Sequence, residues 1–312
     1  LWHIRNAVKV ASQIHSNERV NLIVAQGLTA LAGVRLKKKL KLPLIVSFHA
    51  EDITSPDWLK SVWRKIWLPR AMLRALQQAD GVRVVSPEVK KNLTARGLTA
   101  ELIKVFPTPI NLKTFLEIGS QRANAPPNDQ ATKNLLSDGR LEPVKNLPFL
   151  LKAFQKIAAH DKGVKLTIHG RGSQEEALQA LARDLEIADR VNFIPLQPVA
   201  EQPKLYQEAS IYVSASSSES FGQAMAKAAA AGLPVVAAET AGAKSVIKDG
   251  KTGYIVKPSD EQGFVEKVNS LLGNADLRRK LGQQARARVE KKFDQEKIIK
   301  NMINWWGQVA GR

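Results

Sequence analysis

Residues 214–239 read SASSSESFGQAMAKAAAAGLPVVAAE, and the first half of that stretch has the residue types of an anion site. Serines crowd around Glu219, and Ser220, Phe221 and Gly222 then open an alanine-rich helix that carries Lys227 and stops at Gly232. A helix start presents unpaired N–H groups and the positive end of the helix dipole, which suits phosphate oxygens. Small hydroxyl residues add donors without bulk, and a glycine admits close approach. The same residues also make a plain N-cap before a packing helix. A second basic pattern lies in DGRLEPVKN (138–146), where Arg140 and Lys145 follow Gly139. Arginine is a planar fork for phosphate and lysine a flexible point charge, although loop cations are also common as solvated charges. In HGRGS (169–173), Gly170 and Gly172 bracket Arg171, as in a phosphate loop or a simple turn.

These residues follow short apolar runs that read as strands. NLIVAQ (21–26), LPLIVSFHA (42–50), GVRVVSP (81–87) and LIKVF (102–106) occupy the first third. NLLSDGRL (134–141) opens a second series: VKLTIHG (164–170), RVNFIP (190–195), ASIYVSAS (209–216), LPVVAAE (233–239) and TGYIVKP (252–258). The runs are mostly apolar rather than alternating, as in strands buried on both faces. With helical patterns between them they predict an α/β fold of two Rossmann-like doubly wound parallel sheets facing a cleft. Ligands in such sheets bind at the carboxyl ends of the strands. The polar, proline-containing segment 120–134 reads as a linker between a first domain, 1–119, and a second, 135–293.

The chain has 312 residues, no cysteine and a net charge of +18. Disulfides, thiolate metal sites and cysteine nucleophiles are thereby excluded. Its five histidines lack metal-ligand spacing, so neither metal nor cofactor is expected. Residues 1–120 carry 19 basic and 8 acidic side chains, which suggests an anionic partner for the first domain. No nucleic-acid module or pattern of stacking aromatics accompanies that charge, so a nucleic acid is not that partner. The opening LWHIRNAVKV has no signal-peptide pattern and reads as a domain entered partway, an expected N-terminal truncation.

Several segments, in order, carry a family resemblance: GRLEPVKNLPFLLKAF, LTIHGRGSQEEAL, the run from ADRVNFIP to AAAAGLPVVA, and KDGKTGYIVKPSD. Together they resemble the C-terminal domain of retaining glycosyltransferases of family four, with the GT-B fold. PLIVSFHAED, VVSPEVKKNL and VFPTPINLKTF resemble the first domain of the same family. The resemblance implies a retaining hexosyltransferase that uses a nucleotide-sugar donor and a saccharide or lipid-linked acceptor. In it Arg140, Lys145, Ser220, Phe221 and Gly222 would bind the diphosphate. Gly139, Gly170, Arg171, Gly172 and Lys227 would line the donor site. Glu219 matches the first acid of the family's E-x7-E motif, against the donor sugar, and His49 the histidine that reaches the sugar from the first domain. The final helix, 294–312, would pack back on the first domain. Family and composition together imply a cytoplasmic protein.

Three departures accompany the resemblance. Lys227 stands where the second acid is expected, Ser245 where a glutamate is usual, and the family's N-terminal glycine-rich loop is missing. An ammonium offers no lone pair to ribose hydroxyls, so a non-catalytic GT-B-fold binding protein is the alternative. Finally, WLKSVWRKIWLPRAMLRAL (58–76) sets Leu59, Val62, Trp63, Ile66 and Trp67 on one stripe with Lys60, Arg64 and Lys65 interleaved, and Pro69 should kink or split that helix. Tryptophans among cations suit the inner face of an anionic membrane, or the stripe packs on its own sheet.

Overall fold

The apolar runs become parallel strands in two sheets, seen in a computed structural model that describes residues 2–18, 20–49, 62–124 and 133–311. The chain divides into two units, Leu1–Pro109 with Glu296–Arg312, and Ile110–Gln295. The first holds β1 (Ile23–Gln26), β2 (Leu44–Phe48), β3 (Gly81–Val84) and β4 (Ile103–Val105), in that order across the sheet. β2 and β3 are buried along their whole length, the reason their sequences are mostly apolar, with Ser47 and Arg83 the exceptions. Helices α1 (Trp2–Asn17), α2 (Ala30–Leu40), α3 (Val62–Gln77) and α4 (Pro87–Ala95) accompany the sheet.

Pro69 does not split α3, which runs through it. A proline inside a helix removes one N–H donor, and the turns beyond it are held by Met72, Ala75 and Leu76, all buried. Trp67 is 61% exposed. Leu59, Lys60 and the side chains of Val62, Trp63, Arg64, Lys65 and Ile66 lie outside the described residues.

The second unit begins with α5 (Lys113–Asn124) and carries a six-stranded sheet. Its strands are β5 (Asn134–Asp138), β6 (Lys165–His169), β7 (Val191–Ile194), β8 (Ile211–Ser214), β9 (Val235–Ala238) and β10 (Gly253–Val256), in the order β10-β9-β8-β5-β6-β7. The intervening helices are α6 (Leu147–His160), α7 (Glu175–Asp184), α8 (Gln202–Glu208), α9 (Gln223–Ala230) and α10 (Ala241–Val246). After β10 come α11 (Glu261–Leu272), α12 (Ala275–Lys292) and α13 (Gln295–Ala310). Leu150, Leu151, Phe154 and Ile157 form the buried face of α6 against Leu135 and Leu166 of the sheet. The chain leaves β5 toward β6 and β7, then returns to add β8 on the other side of β5. The order therefore reverses between β5 and β8.

The division of the chain differs from the linker read at 120–134. Residues 120–124 are the last turn of α5, and residues 125–132 lie outside the described ones. Arg122 accounts for the difference: its guanidinium donates to the carbonyls of Ala231, Tyr206 and Gln207, at 3.1, 3.0 and 3.0 Å. Those bonds tie α5 to the second unit, so the boundary falls at Pro109. The last helix, α13, belongs to the first unit, where Trp305 and Val309 cluster with Ile45. Gly81 makes room for it, because a Cβ there would stand 2.7 Å from the Trp305 ring.

Candidate active site at the carboxyl edge of the second sheet

Strand order reverses between β5 and β8, and the carboxyl edge at such a point is the usual ligand position in these sheets. Two loops border it. One leaves β5 through Gly139 and Arg140 to a short turn over Pro143–Lys145; the other leaves β8 and reaches the head of α9. They are tied together by Ser217, whose N–H and hydroxyl both donate to the Val144 carbonyl, at 2.9 and 3.2 Å. Gly139 lies directly against the Lys145 stem.

Lys145 meets Glu219. The ammonium is 2.7 Å from Oε2, while Oε1 accepts the Gly222 N–H at 3.3 Å. Gly222 has φ 84°, a left-handed conformation that favours glycine, and from it α9 begins at Gln223 rather than at Ser220. The Gly242 N–H donates to the Glu219 carbonyl, which fixes its backbone against α10. Ser220 is 6% exposed and its hydroxyl has no partner among the described residues. The Phe221 ring is buried edge-on to Phe293, at 5.1 Å between centroids, so it anchors the loop and leaves only its backbone to a ligand.

Gly170 and Gly172 are needed for a backbone approach. A Cβ on either would collide with the carbonyls of Gly139 or Leu141. The two segments run side by side, Gly139 donating to the His169 carbonyl at 3.0 Å and Leu141 to that of Arg171 at 2.8 Å. Arg140 and Arg171 are exposed, and their side chains have no hydrogen-bond or ion-pair partner among the described residues. The structure thus brings Lys145, Glu219, Ser220 and Gly222 together and leaves both arginines in solvent beside them.

In the first unit, His49 follows β2 and is half-buried. Burial, with the nearby Arg83 charge, lowers its pKa from 6.5. Arg83 is itself buried, and its guanidinium donates to Ser47 Oγ and the carbonyls of Phe106 and Pro107, at 3.1, 3.2 and 3.0 Å. Sequence reasoning did not single it out, although a lone arginine inside GVRVVSP was the available signal.

Residues 121–288 match the family described as Glycosyl transferases group 1, and residues 1–114 match Glycosyltransferase Family 4. The chain belongs to the group 1 glycosyltransferases. It is 34% identical over 154 residues to D-inositol 3-phosphate glycosyltransferase of Nocardia farcinica, covering 47% of this chain and 34% of that one. It is 32% identical over 171 residues to N-acetyl-alpha-D-glucosaminyl L-malate synthase of Bacillus anthracis, covering 54% and 44%. The chain thus spans less than half the length of either relative. Among solved structures, Anabaena HepE in complex with UDP superposes with TM-score 0.81 at 20% identity, over 98% of this chain and 82% of that one. Sucrose-phosphate synthase of Thermosynechococcus elongatus gives 0.83 at 21%, over 99% and 78%. These likenesses establish the GT-B fold.

In this glycosyltransferase chain Lys227 neither neutralises Glu219 nor turns toward it. Lys227 leaves α9 toward α8 and α5. It donates to Gln202 Oε1 at 3.0 Å and lies 5.6 Å from the Phe115 ring centre. Ser245 is buried, its hydroxyl without a partner among the described residues, and its carbonyl accepts from Lys292 at 2.7 Å and from Arg288 at 3.4 Å. Burial, with the Arg288 charge, lowers the Lys292 pKa to about 8.

A buried polar network beneath the site escaped the sequence reading. His169 Nδ1 is 2.8 Å from Asp138 Oδ1, and its Nε2 accepts the Gln197 N–H at 3.1 Å, which puts the ring proton on Nδ1. Tyr206 donates to the other Asp138 oxygen, and Tyr212 to the Asp138 carbonyl at 3.1 Å. Burial pushes the Asp138 pKa up. The His169 and Tyr206 hydrogen bonds, with the Lys227 charge, outweigh that and hold it below the carboxylate norm. The available signal was Asp138 and His169 closing two apolar strands in register.

Proposed function

We propose that the chain is part of a glycosyltransferase that takes a nucleotide-sugar donor at the carboxyl edge of the second sheet. The observation that carries this is the convergence of the Lys145 ammonium and the head of α9 at the reversal of strand order. A diphosphate leaving group develops negative charge as the sugar departs, and a cation and N–H groups held in place by the fold stabilise that charge. Ser220 supplies a further hydroxyl, and Arg140 and Arg171 supply mobile guanidinium groups at the rim. A uridine nucleotide is the first candidate, since HepE was solved in complex with UDP and in a second structure with UDP and glucose. The transfer is read as retaining, with Glu219 and His49 against the donor sugar and a saccharide or lipid-linked acceptor on the first unit. A panel of nucleotide sugars tests it, scored by donor consumption and by the anomeric configuration of the product. No consumption of any donor would leave the non-catalytic reading in its place.

The first unit is read as meeting an anionic membrane from the cytoplasmic side. Supporting this, exposed Trp67 shares its stripe of α3 with Arg70 and Arg74, and the adjoining α2 exposes Lys38 and Lys39. Among the described residues no helix is long and apolar enough to cross a membrane.

A further inference from the structure

The Glu219 carboxylate occupies the very donors that the proposed site would offer to a phosphate. One oxygen is 2.7 Å from the Lys145 ammonium and the other 3.3 Å from the Gly222 N–H at the head of α9. The two side chains are 21% and 18% exposed, so the pair is shielded and its members are not replaced cheaply by water. Its geometry is built in. Gly139 leaves space for the Lys145 stem, and the Glu219 backbone is clamped by the Gly242 N–H. Gly242 in turn has no room for a side chain, since a Cβ would stand 2.6 Å from Glu219 Cγ. With its backbone held, the carboxylate leaves Lys145 by side-chain rotation.

We infer that Glu219 is a specificity-determining residue, an internal anion that competes with the ligand's phosphates for Lys145 and so favours the sugar nucleotide over the nucleoside diphosphate left after transfer. This rests on the donor-site reading above. A diphosphate that takes Lys145 leaves a partly buried carboxylate without its cation, and an unsatisfied charge there is costly. A nucleotide sugar compensates, because its sugar hydroxyls donate to the displaced carboxylate. A nucleoside diphosphate has no group in that position and meets the full competition. Once the sugar has gone, Glu219 recovers Lys145 and expels the diphosphate. The same residue thereby admits the donor and limits inhibition by the product.

The test is calorimetric titration of the full chain and of Glu219→Gln with inorganic pyrophosphate, uridine diphosphate, guanosine diphosphate and UDP-glucose. Glutamine keeps the shape and removes the competing charge. The diphosphates should bind the variant about tenfold or more tightly than they bind the parent, and the preference for UDP-glucose over UDP should shrink by a similar factor. Glu219→Asp, which keeps the charge but shortens its reach to Lys145, should also bind diphosphates more tightly, and thermal melts establish that each variant folds. Equal diphosphate affinity in parent and variants overturns the inference and leaves the donor site standing. Binding of none of the four ligands to any form overturns the donor-site reading with it.

Discussion

Lys145 and Arg140 come from one loop but differ in how they are held, and the difference has a measurable size. Lys145 is already aimed at the head of α9, whereas Arg140 stands in solvent and would have to be recruited. Losing one preorganised donor costs about 2.7–4 kcal/mol of transition-state stabilisation. Lys145→Ala should therefore lower kcat about 100–1,000-fold in a donor-consumption assay, and Arg140→Ala clearly less because its charge is screened. At His49 the prediction concerns pH. Its folded pKa lies below 6.5, so as the pH falls the unfolded chain takes up the proton first. The stability this group contributes is present above pH 6.5 and lost as the pH falls through the folded value. The melting temperature of His49→Gln should accordingly decline less between pH 7 and about pH 5 than that of the parent. Lys227 offers a third comparison. Lys227→Glu replaces a cation bound to Gln202 with a second carboxylate in the field of Asp138. A lost charged hydrogen bond is worth about 1.5–3 kcal/mol, so chemical denaturation should show a loss of at least that size. Unchanged stability would show that the contact with Gln202 is dispensable.

At the level of elements, the site depends on two segments lying closer than side chains permit. Gly170→Ala places a Cβ inside the contact distance of the Gly139 carbonyl, and the neighbour is backbone that cannot turn aside. Overpacking typically costs about 1–3 kcal/mol, and the expected loss lies at or beyond the top of that range. Diphosphate binding should weaken with it, because the displaced segment leads to Lys145. Gly163→Ala, where the nearest atom is a side-chain oxygen of Asp161 at 3.4 Å, should leave diphosphate binding unchanged. Elements also show where a sequence reading stops. The strand cores of both sheets were legible because strands covered on both faces read as nearly continuous apolar runs. The polar tail of α5 looked like a linker, since nothing local announces that Arg122 will find three carbonyls more than eighty residues away.

For the whole molecule, a net charge of +18, concentrated toward the N-terminal part, sets the expected behaviour at an anionic surface. Each basic residue near such a surface contributes about 1 kcal/mol, and the attraction decays within a Debye length. Vesicles containing phosphatidylserine should sediment the protein at low salt and release it as salt rises, and neutral vesicles should bind less. Replacing Trp67, Arg70 and Arg74 together should weaken the binding without changing donor consumption in solution. Equal sedimentation with neutral vesicles would exclude the electrostatic part of the proposal.

The sequence by itself determined the two parallel sheets, the helix head after Glu219, and the loop cations after β5. Each of these is written locally, as an apolar run, a small-residue turn or a charge beside a glycine. Only the tertiary structure decided how those groups are used. It paired Lys145 with Glu219, seventy-four residues away, and sent Lys227 to Gln202. It joined Asp138, His169, Tyr206 and Tyr212 into one buried network, and it placed the unit boundary before α5. The physical reason is the range of the interactions. Strand and helix patterns follow from neighbours two to four residues apart. The partner of a buried charge is chosen by whichever distant element the sheet order brings alongside.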